Sequence, residues 1–369
     1  QRYLRGEELS VYPDPFRKKV WRYLAQHQKA ASVGVFLLFS AVVALTAIEV
    51  IREAQRKQDA AEHAQKIAEQ VGLVTQRAQQ FDARVRAVEN ELSHLAGAVE
   101  HVLILSPEQE APLLRPKDLE KQSKNSPTTE HSRYAGPISF QRPVIIRAPE
   151  ADPQANLDEQ RLHLVEDDFK HAYSSTSIGT SNTAFDSTPL QWIYVATPSG
   201  VLLNYPATAD FPKGYDPRKL PFYRQTIGTI GPVWGQLHPP RNGAGLLLPC
   251  HRAVYDTKKR LLAILGIDFR LGDVEKALTL DSVPHFQRAW LLDKENLIIA
   301  TTNAPNDVSS KAQVTAPAQA LKLRPFPHPE LIEERRISPS SGEVLLKRSR
   351  LLYASIPALK WVYVIQTGL

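Results

Sequence analysis

Hydrophobic positions change their period several times along the chain, and each change marks a new element. Residues 30–48 are 19 positions without a charge, including Phe36-Leu37-Leu38 and Ala41-Val42-Val43-Ala44-Leu45. A helix of that length spans about 28 Å at 1.5 Å per residue, close to the hydrocarbon thickness of a bilayer. Residues 30–50 are therefore expected to form a transmembrane helix. A cleaved signal peptide fits less well, because about 30 polar residues precede the run and it exceeds an ordinary h-region. A buried core helix is the bland alternative, and basic clusters such as Arg17-Lys18-Lys19 just outside the run speak against it.

Beyond the apolar run the pattern becomes heptad-like. Ala64, Ile67, Val71, Val74, Ala78, Phe81, Val85, Val88, Leu92, Leu95, Val99 and Val102 alternate in steps of three and four, which keeps one apolar seam on a continuous helix over residues 51–105. Such a seam needs a partner. Either the same helix of a second subunit supplies it, in a parallel coiled-coil dimer, or the chain's own later domain does. Gly72 and Gly97 each cost about 1 kcal/mol against alanine and mark close approach or local loosening.

Residues 106–155 are expected to be an irregular linker, with eight prolines in 106–153. A second helix follows, with Leu162, Val165, Phe169 and Ala172 on one face and Asp158 and Glu159 near its start. Residues 174–188, rich in Ser and Thr, read as a loop. From Trp192 the period becomes that of strands: Trp192-Ile193-Tyr194-Val195-Ala196, a Pro198-Ser199-Gly200 turn, then Val201-Leu202-Leu203-Asn204-Tyr205. Leu261-Leu262-Ala263-Ile264-Leu265-Gly266-Ile267-Asp268 is a buried-strand run that delivers a carboxylate at its end. Residues 289–300 are strand, polar turn and strand again, which suggests a repeat of the same unit, and 340–346, 350–357 and 360–365 supply further strands. Asn242-Gly243-Ala244-Gly245 reads as a hairpin turn rather than a phosphate loop.

Charge adds little: the net is +6 with both signs well mixed, so nothing points to nucleic acid. Cys250 is the single cysteine and forms no internal disulfide. Methionine is absent even at position 1, so the chain reads as a fragment or a processed product. The histidines show no metal-ligand spacing, the neighbours Cys250 and His251 do not make a nucleophile–base pair, and neither a catalytic centre nor a cofactor is expected.

The residues from Trp192 to Tyr205, Tyr215-Asp216-Pro217-Arg218-Lys219-Leu220-Pro221-Phe222-Tyr223, and the strand ending at Asp268 together resemble the membrane-distal half of a double Cache domain, an extracytoplasmic sensor of bacterial receptors. The resemblance covers roughly residues 135–369. It implies an α+β chain in which the transmembrane helix and long stalk helix precede two PAS-like antiparallel-sheet units, membrane-distal over 156–283 and membrane-proximal over 284–369. In amino-acid-binding relatives the middle segment reads Tyr-Asp-Pro-Arg-x-Arg-Pro-Trp-Tyr, whose second Arg holds the ligand carboxylate while a later Asp takes the amine. Here Leu220 stands at that Arg and Phe222 at the Trp. The matching positions for a later Tyr-x-Asp pair are His238 and Pro240. The resemblance thus implies a small-molecule ligand, with an amine fitting better than an amino acid, at Arg218, Phe222, Tyr223, Trp234, His238 and Asp268. Each has an ordinary structural reading as well: Arg218 as a turn or ion-pair residue, Phe222 and Tyr223 as core aromatics, His238 as a solvated loop side chain, and Asp268 as a cap for a helix containing Val274 and Leu278, although Asp273 is better placed for that.

Residues 1–29 carry seven Lys or Arg against three acids and are expected to be a cytoplasmic tail. Gln1-Arg2-Tyr3-Leu4-Arg5-Gly6-Glu7-Glu8-Leu9, Tyr12-Pro13-Asp14-Pro15 and Val20-Trp21-Arg22-Tyr23 resemble the juxtamembrane segment of bacterial receptor-type Ser/Thr protein kinases. The combined expectation is a single-pass protein of the bacterial inner membrane, N-terminus inside and sensor outside, dimeric, regulating a kinase domain that precedes residue 1. The alternatives are the sensor of a chemoreceptor or histidine kinase, and a structural stalk with no small-molecule ligand.

Overall fold

The computed structural model describes residues 16–26, 28–104, 113–119, 138–175, 190–239, 246–270, 283–303 and 323–368. The tail motifs before residue 16, residues 106–112 and 120–137 of the expected linker, residues 176–188 of the expected loop, Pro240, the expected turn at 242–245 and the expected helix containing Val274 and Leu278 lie outside the described residues.

The chain divides into two units, residues 1–69 and 70–369. In the first, α1 (Phe16–Gln26) precedes the beginning of α2 (Gln28–Ile104). Among the described residues, one helix is long and apolar enough to cross a membrane. Its most apolar stretch buries nothing: Phe36, Leu38, Phe39 and Leu45 are exposed. Side chains of this kind, all around a helix, are costly in water and suited to lipid.

The second unit is organised by the rest of α2. Val74, Val85, Leu92, Leu95 and Val99 are fully buried, and they form one core with two antiparallel sheets. The first sheet has the order β2-β4-β3-β8-β7-β6, from β2 (Val144–Arg147), β3 (Leu190–Ala196), β4 (Val201–Tyr205), β6 (Val233–Trp234), β7 (Leu247–Tyr255) and β8 (Leu261–Arg270). The second has the order β11-β10-β9-β14-β13-β12, from β9 (Phe286–Leu292), β10 (Leu297–Asn303), β11 (Arg324–Pro325), β12 (Ser341–Leu345), β13 (Ser349–Ile356) and β14 (Trp361–Gly368). A two-stranded ribbon joins β1 (Ile138–Ser139) to β5 (Ala207–Thr208). Each large sheet places an early hairpin beside a later one, joined through β3 and β8 in one and β9 and β14 in the other. The architecture is therefore α+β, a long helix followed by two antiparallel sheets of like connection.

The seam of α2 from position 74 onward is thus filled by the chain's own sheets. Of the two partners that the heptad pattern allows, a second subunit's helix in a coiled coil or the chain's own later domain, it is the latter that covers this part: the apolar stripe is satisfied within one chain, each fully buried Val or Leu contributing about 1.5–3 kcal/mol. Polar contacts fix the register. Trp234 Nε1 donates to Glu89 Oε1 at 2.8 Å, Arg252 donates to Ser93 Oγ at 2.8 Å, and the Ala358 N–H donates to Asp82 Oδ1 at 2.7 Å. Phe81 meets Phe269 edge-on. A Cβ at Gly72 or Gly97 would meet no heavy atom within 4 Å, so neither glycine marks a close approach.

The second helix is broken. α3 (Ala155–Leu162) passes through a 3-10 turn into α4 (Glu166–Ser175), and Leu162, Val165, Phe169 and Ala172 are fully buried in the α2 core. Asp158 and Glu159 are buried and paired. Ser199 Oγ donates to Asp158 at 2.6 Å, and Glu159 takes both Arg115 and Arg147 at 2.6–2.9 Å. Burial works to raise the pKa of Glu159, and the hydrogen bonds from Arg115 and Arg147 outweigh it, leaving the carboxyl below its usual range.

Turn chemistry closes the hairpins as the sequence suggests. Gly200 takes φ +92° after Pro198-Ser199, the conformation that favours glycine. Asp256 and Asp293 each accept backbone N–H groups two and four residues ahead, at Lys258 and Arg260 and at Glu295 and Leu297.

Candidate ligand cavity

Strand alternation gives the first sheet two unlike faces. Ile193, Val195, Cys250, Leu265 and Ile267 belong to the α2 core, whereas Trp192, Tyr194, Leu202 and Ile264 belong to the opposite side. On that opposite side α5 (Pro221–Thr226) and the segment 235–239 enclose a cavity of about 500 Å³. This is the size range of small-molecule sites.

Two cross-strand rows form the floor. Tyr194 on β3, Gly266 on β8 and His251 on β7 lie opposite one another, and so do Trp192, Asp268 and Pro249. Because Gly266 has no side chain, Tyr194 can lie across β8, where its hydroxyl stands 2.8 Å from His251 Nε2 and donates to Asp268 Oδ1 at 3.1 Å. Asp268 and His251 are buried, at 6% and 4% exposure. Burial, together with His238 nearby, lowers the pKa of His251 to about 3, so the ring is neutral. Phe222 stacks on His251 with centroids 5.3 Å apart and meets Tyr194 edge-on. Phe211, Tyr215, Leu220 and Leu247 complete much of the apolar wall, with Asn204, Asp210 and Gln225 as polar members.

The six expected site residues separate into two sets. Phe222, His238 and Asp268 line the cavity. His238 sits in the 235–239 segment, bridged through its backbone to Leu247. Arg218, Tyr223 and Trp234 are not among the lining residues. Arg218 is held by Asp216 at 2.9 Å and by the carbonyls of Glu150 and Pro198, which ties three segments together. Tyr223, on α5 itself, is buried in the apolar cluster on this side of the sheet, and burial pushes its hydroxyl up to about 12. Trp234 reaches the other way, to Glu89 on α2. Sequence reasoning missed Trp192, Tyr194 and His251. The period-2 alternation already set Trp192, Tyr194 and Asp268 in their strands, but opposing Tyr194 to His251 depends on strand pairing over 57 positions. Cys250 and His251 point to opposite faces, the thiol into the α2 core with its pKa raised by burial.

Among the described residues that line the cavity there is neither Lys nor Arg, and two carboxylates are present, Asp210 and Asp268. No metal-binding cluster of His, Cys, Asp or Glu occurs among the described residues. The lining can hold a small organic molecule by aromatic contact and by hydrogen bonds to acceptors.

No protein-family model matches the chain, and no curated protein matches it. Among solved structures, it is similar to the sensory domain of the Campylobacter jejuni chemoreceptor Tlp3 with isoleucine bound, at 13% identity and a TM-score of 0.41, over 83% of this chain and 95% of that one. It is also similar to the ligand-binding domain of the Pseudomonas fluorescens chemoreceptor CtaA in complex with L-serine, at 15% identity and a TM-score of 0.33, over 53% of this chain and 78% of that one.

Proposed function

We propose that this chain is the sensor segment of a single-pass bacterial membrane receptor of the double Cache type, and that the cavity over β3, β7 and β8 holds its small-molecule ligand. The observation that carries the reading is the cavity itself: about 500 Å³, walled by aromatics and floored by the buried Tyr194–His251–Asp268 network. A stalk built only for support has no need of such a void, since unfilled space costs stability. The exposed apolar stretch around Phe36 to Leu45 supports insertion in a bilayer, and the basic residues before it support an inward N-terminus.

The direct bond from Trp234 to Glu89 supports a route from the site to α2, because Trp234 immediately precedes the 235–239 wall of the cavity. Ligand that prefers one placement of this wall biases the position of α2, and in a dimer the bias passes through the membrane helices. The tail residues before the membrane support a cytoplasmic Ser/Thr protein kinase domain as the output; a chemoreceptor or histidine-kinase output uses the same sensor. The test is the thermal unfolding midpoint of the full chain in lipid nanodiscs against fractionated bacterial metabolites. A sensor is stabilised according to RT ln(1 + [L]/Kd), and Gln225→Trp, which fills the cavity from an exposed position, should abolish the shift. A midpoint that no fraction moves contradicts the reading.

A further inference from the structure

Helix α1 carries four Lys or Arg and no Asp or Glu in its eleven residues. At about 100° per residue, Phe16, Val20 and Tyr23 fall within one arc of about 60°, with Arg17 on one flank, Lys19 on the other and Lys18 opposite. Trp21 stands next to Arg17 around the helix. This face is open: Phe16 is 81% exposed, Trp21 75% and Val20 40%. Such a face is costly in water, and its place in the chain indicates what covers it. α1 ends at Gln26, just before the uncharged run that begins at Ala30. With that run in hydrocarbon, the intervening chain reaches at most about 14 Å, so Gln26 stays near the bilayer surface. Upright, α1 would carry Phe16 about 21 Å from Ala30, beyond a headgroup layer about 5–8 Å deep. Lying along the surface, the same helix sets Phe16, Val20 and Tyr23 into the boundary between headgroups and acyl chains. Trp21 then sits at the level that indole favours, and Arg17 and Lys19 extend along both flanks to the phosphate groups.

We infer that α1 is an interfacial helix that binds the anionic phospholipid headgroups of the leaflet where the apolar run emerges, with Arg17 and Lys19 as its cationic contacts and Lys18 facing water. The inference rests on the reading of residues 30–48 as membrane-inserted and goes beyond it by assigning a lipid-binding surface. Zwitterionic headgroups offer no net charge to a helix with four basic groups. Anionic headgroups do, and each basic side chain near the surface adds to the attraction. A second copy of α1 is a poor occupant of the same face, because Arg17 and Lys19 would meet like charge and the helix has no acid to pair with them.

The experiment places a bimane label on the full chain in nanodiscs, at Val20→Cys, at Lys18→Cys and, as a control within the apolar run, at Leu38→Cys, one at a time. Native Cys250 is buried with its thiol pKa raised, so it stays unlabelled. Bromine on the lipid chains reports contact with the bilayer, and aqueous iodide reports contact with water. The Val20 label should be quenched by bromolipid and shielded from iodide, and the Lys18 label should show the reverse. Brominated phosphatidylglycerol, as a minority lipid in phosphatidylcholine, should quench the Val20 label about twofold or more over brominated phosphatidylcholine at the same fraction. Arg17→Gln combined with Lys19→Gln should remove that preference. Phe16→Cys serves in place of Val20→Cys if the latter chain fails to insert. Three results overturn the inference: a Val20 label open to iodide, one shielded from iodide but untouched by bromolipid, as a protein partner would leave it, or equal quenching by the two brominated lipids. If the Leu38 label is quenched in the same discs, the membrane reading stands and only the role of α1 falls. If the Leu38 label is unquenched as well, both fall.

Discussion

Tyr194 and Gly266 are directly opposed across β3 and β8, and a Cβ on Gly266 would lie 2.5 Å from the ring Cζ of Tyr194 and 2.8 Å from its hydroxyl oxygen. The glycine is what permits an aromatic side chain to cross the strand and reach His251 and Asp268. The second sheet repeats the device, with Gly342 opposite Tyr353 and the Tyr353 hydroxyl donating to the Ser338 carbonyl at 2.7 Å.

Gly266→Ala should therefore displace the Tyr194 ring from a fully packed floor. Overpacking of this kind costs about 1–3 kcal/mol. Urea unfolding of the second unit should show that loss, and ligand affinity should fall with it; an alanine that leaves both unchanged removes the glycine from the argument.

Trp234→Phe removes the donor to Glu89 Oε1 while keeping an apolar ring. The carboxylate accepts a charge-assisted bond, so the expected cost is about 1–2 kcal/mol in chemical denaturation. Because Trp234 does not line the cavity, ligand affinity should change much less than the coupling of ligand to the output. Paired measurement of binding and of output in the intact receptor checks this.

Gly97→Ala should stabilise the protein. Position 97 is exposed, lies within α2, and offers open space to a methyl group. The gain expected from helix propensity is about 0.5–1 kcal/mol, read as a raised denaturation midpoint.

Acid should destabilise the fold through His251. Its pKa is lowered from 6.5 to about 3, so between those values the unfolded chain binds a proton that the folded chain refuses. The contribution to stability is complete above about pH 6.5 and is lost as pH falls toward 3, at up to about 1.4 kcal/mol per pH unit. Tyr194 and Asp268 face the ring through the hydroxyl bridge, Phe222 stacks on it and His238 lies near. His251→Phe should flatten the pH profile of unfolding by about that slope, and an unchanged profile contradicts a neutral buried imidazole.

What the sequence discloses follows from the range over which each signal acts. The α2 seam, the strands around Tyr194 and Asp268, and the turns at Gly200 and Asp293 are set by neighbours within a few residues, and their periodicity is legible. The partner of the seam is not legible in the sequence, since period alone cannot distinguish a second subunit from the chain's own sheets. The site was legible in part. Phe222, His238 and Asp268 line the cavity, but Arg218 and Trp234 spend their polar groups on Asp216 and Glu89. Trp234 and Glu89 stand 145 positions apart, and no local pattern announces such a bond.

The most direct test is hydrogen–deuterium exchange of the full chain in nanodiscs, with and without the most strongly stabilising metabolite. Protection should concentrate at 190–196, 235–239, 247–251 and 264–268, the strands and wall of the cavity, and reach α2 near Glu89. Protection confined to the second sheet, at 286–292 and 349–356, or no change anywhere, would contradict a ligand-sensing site in the first sheet.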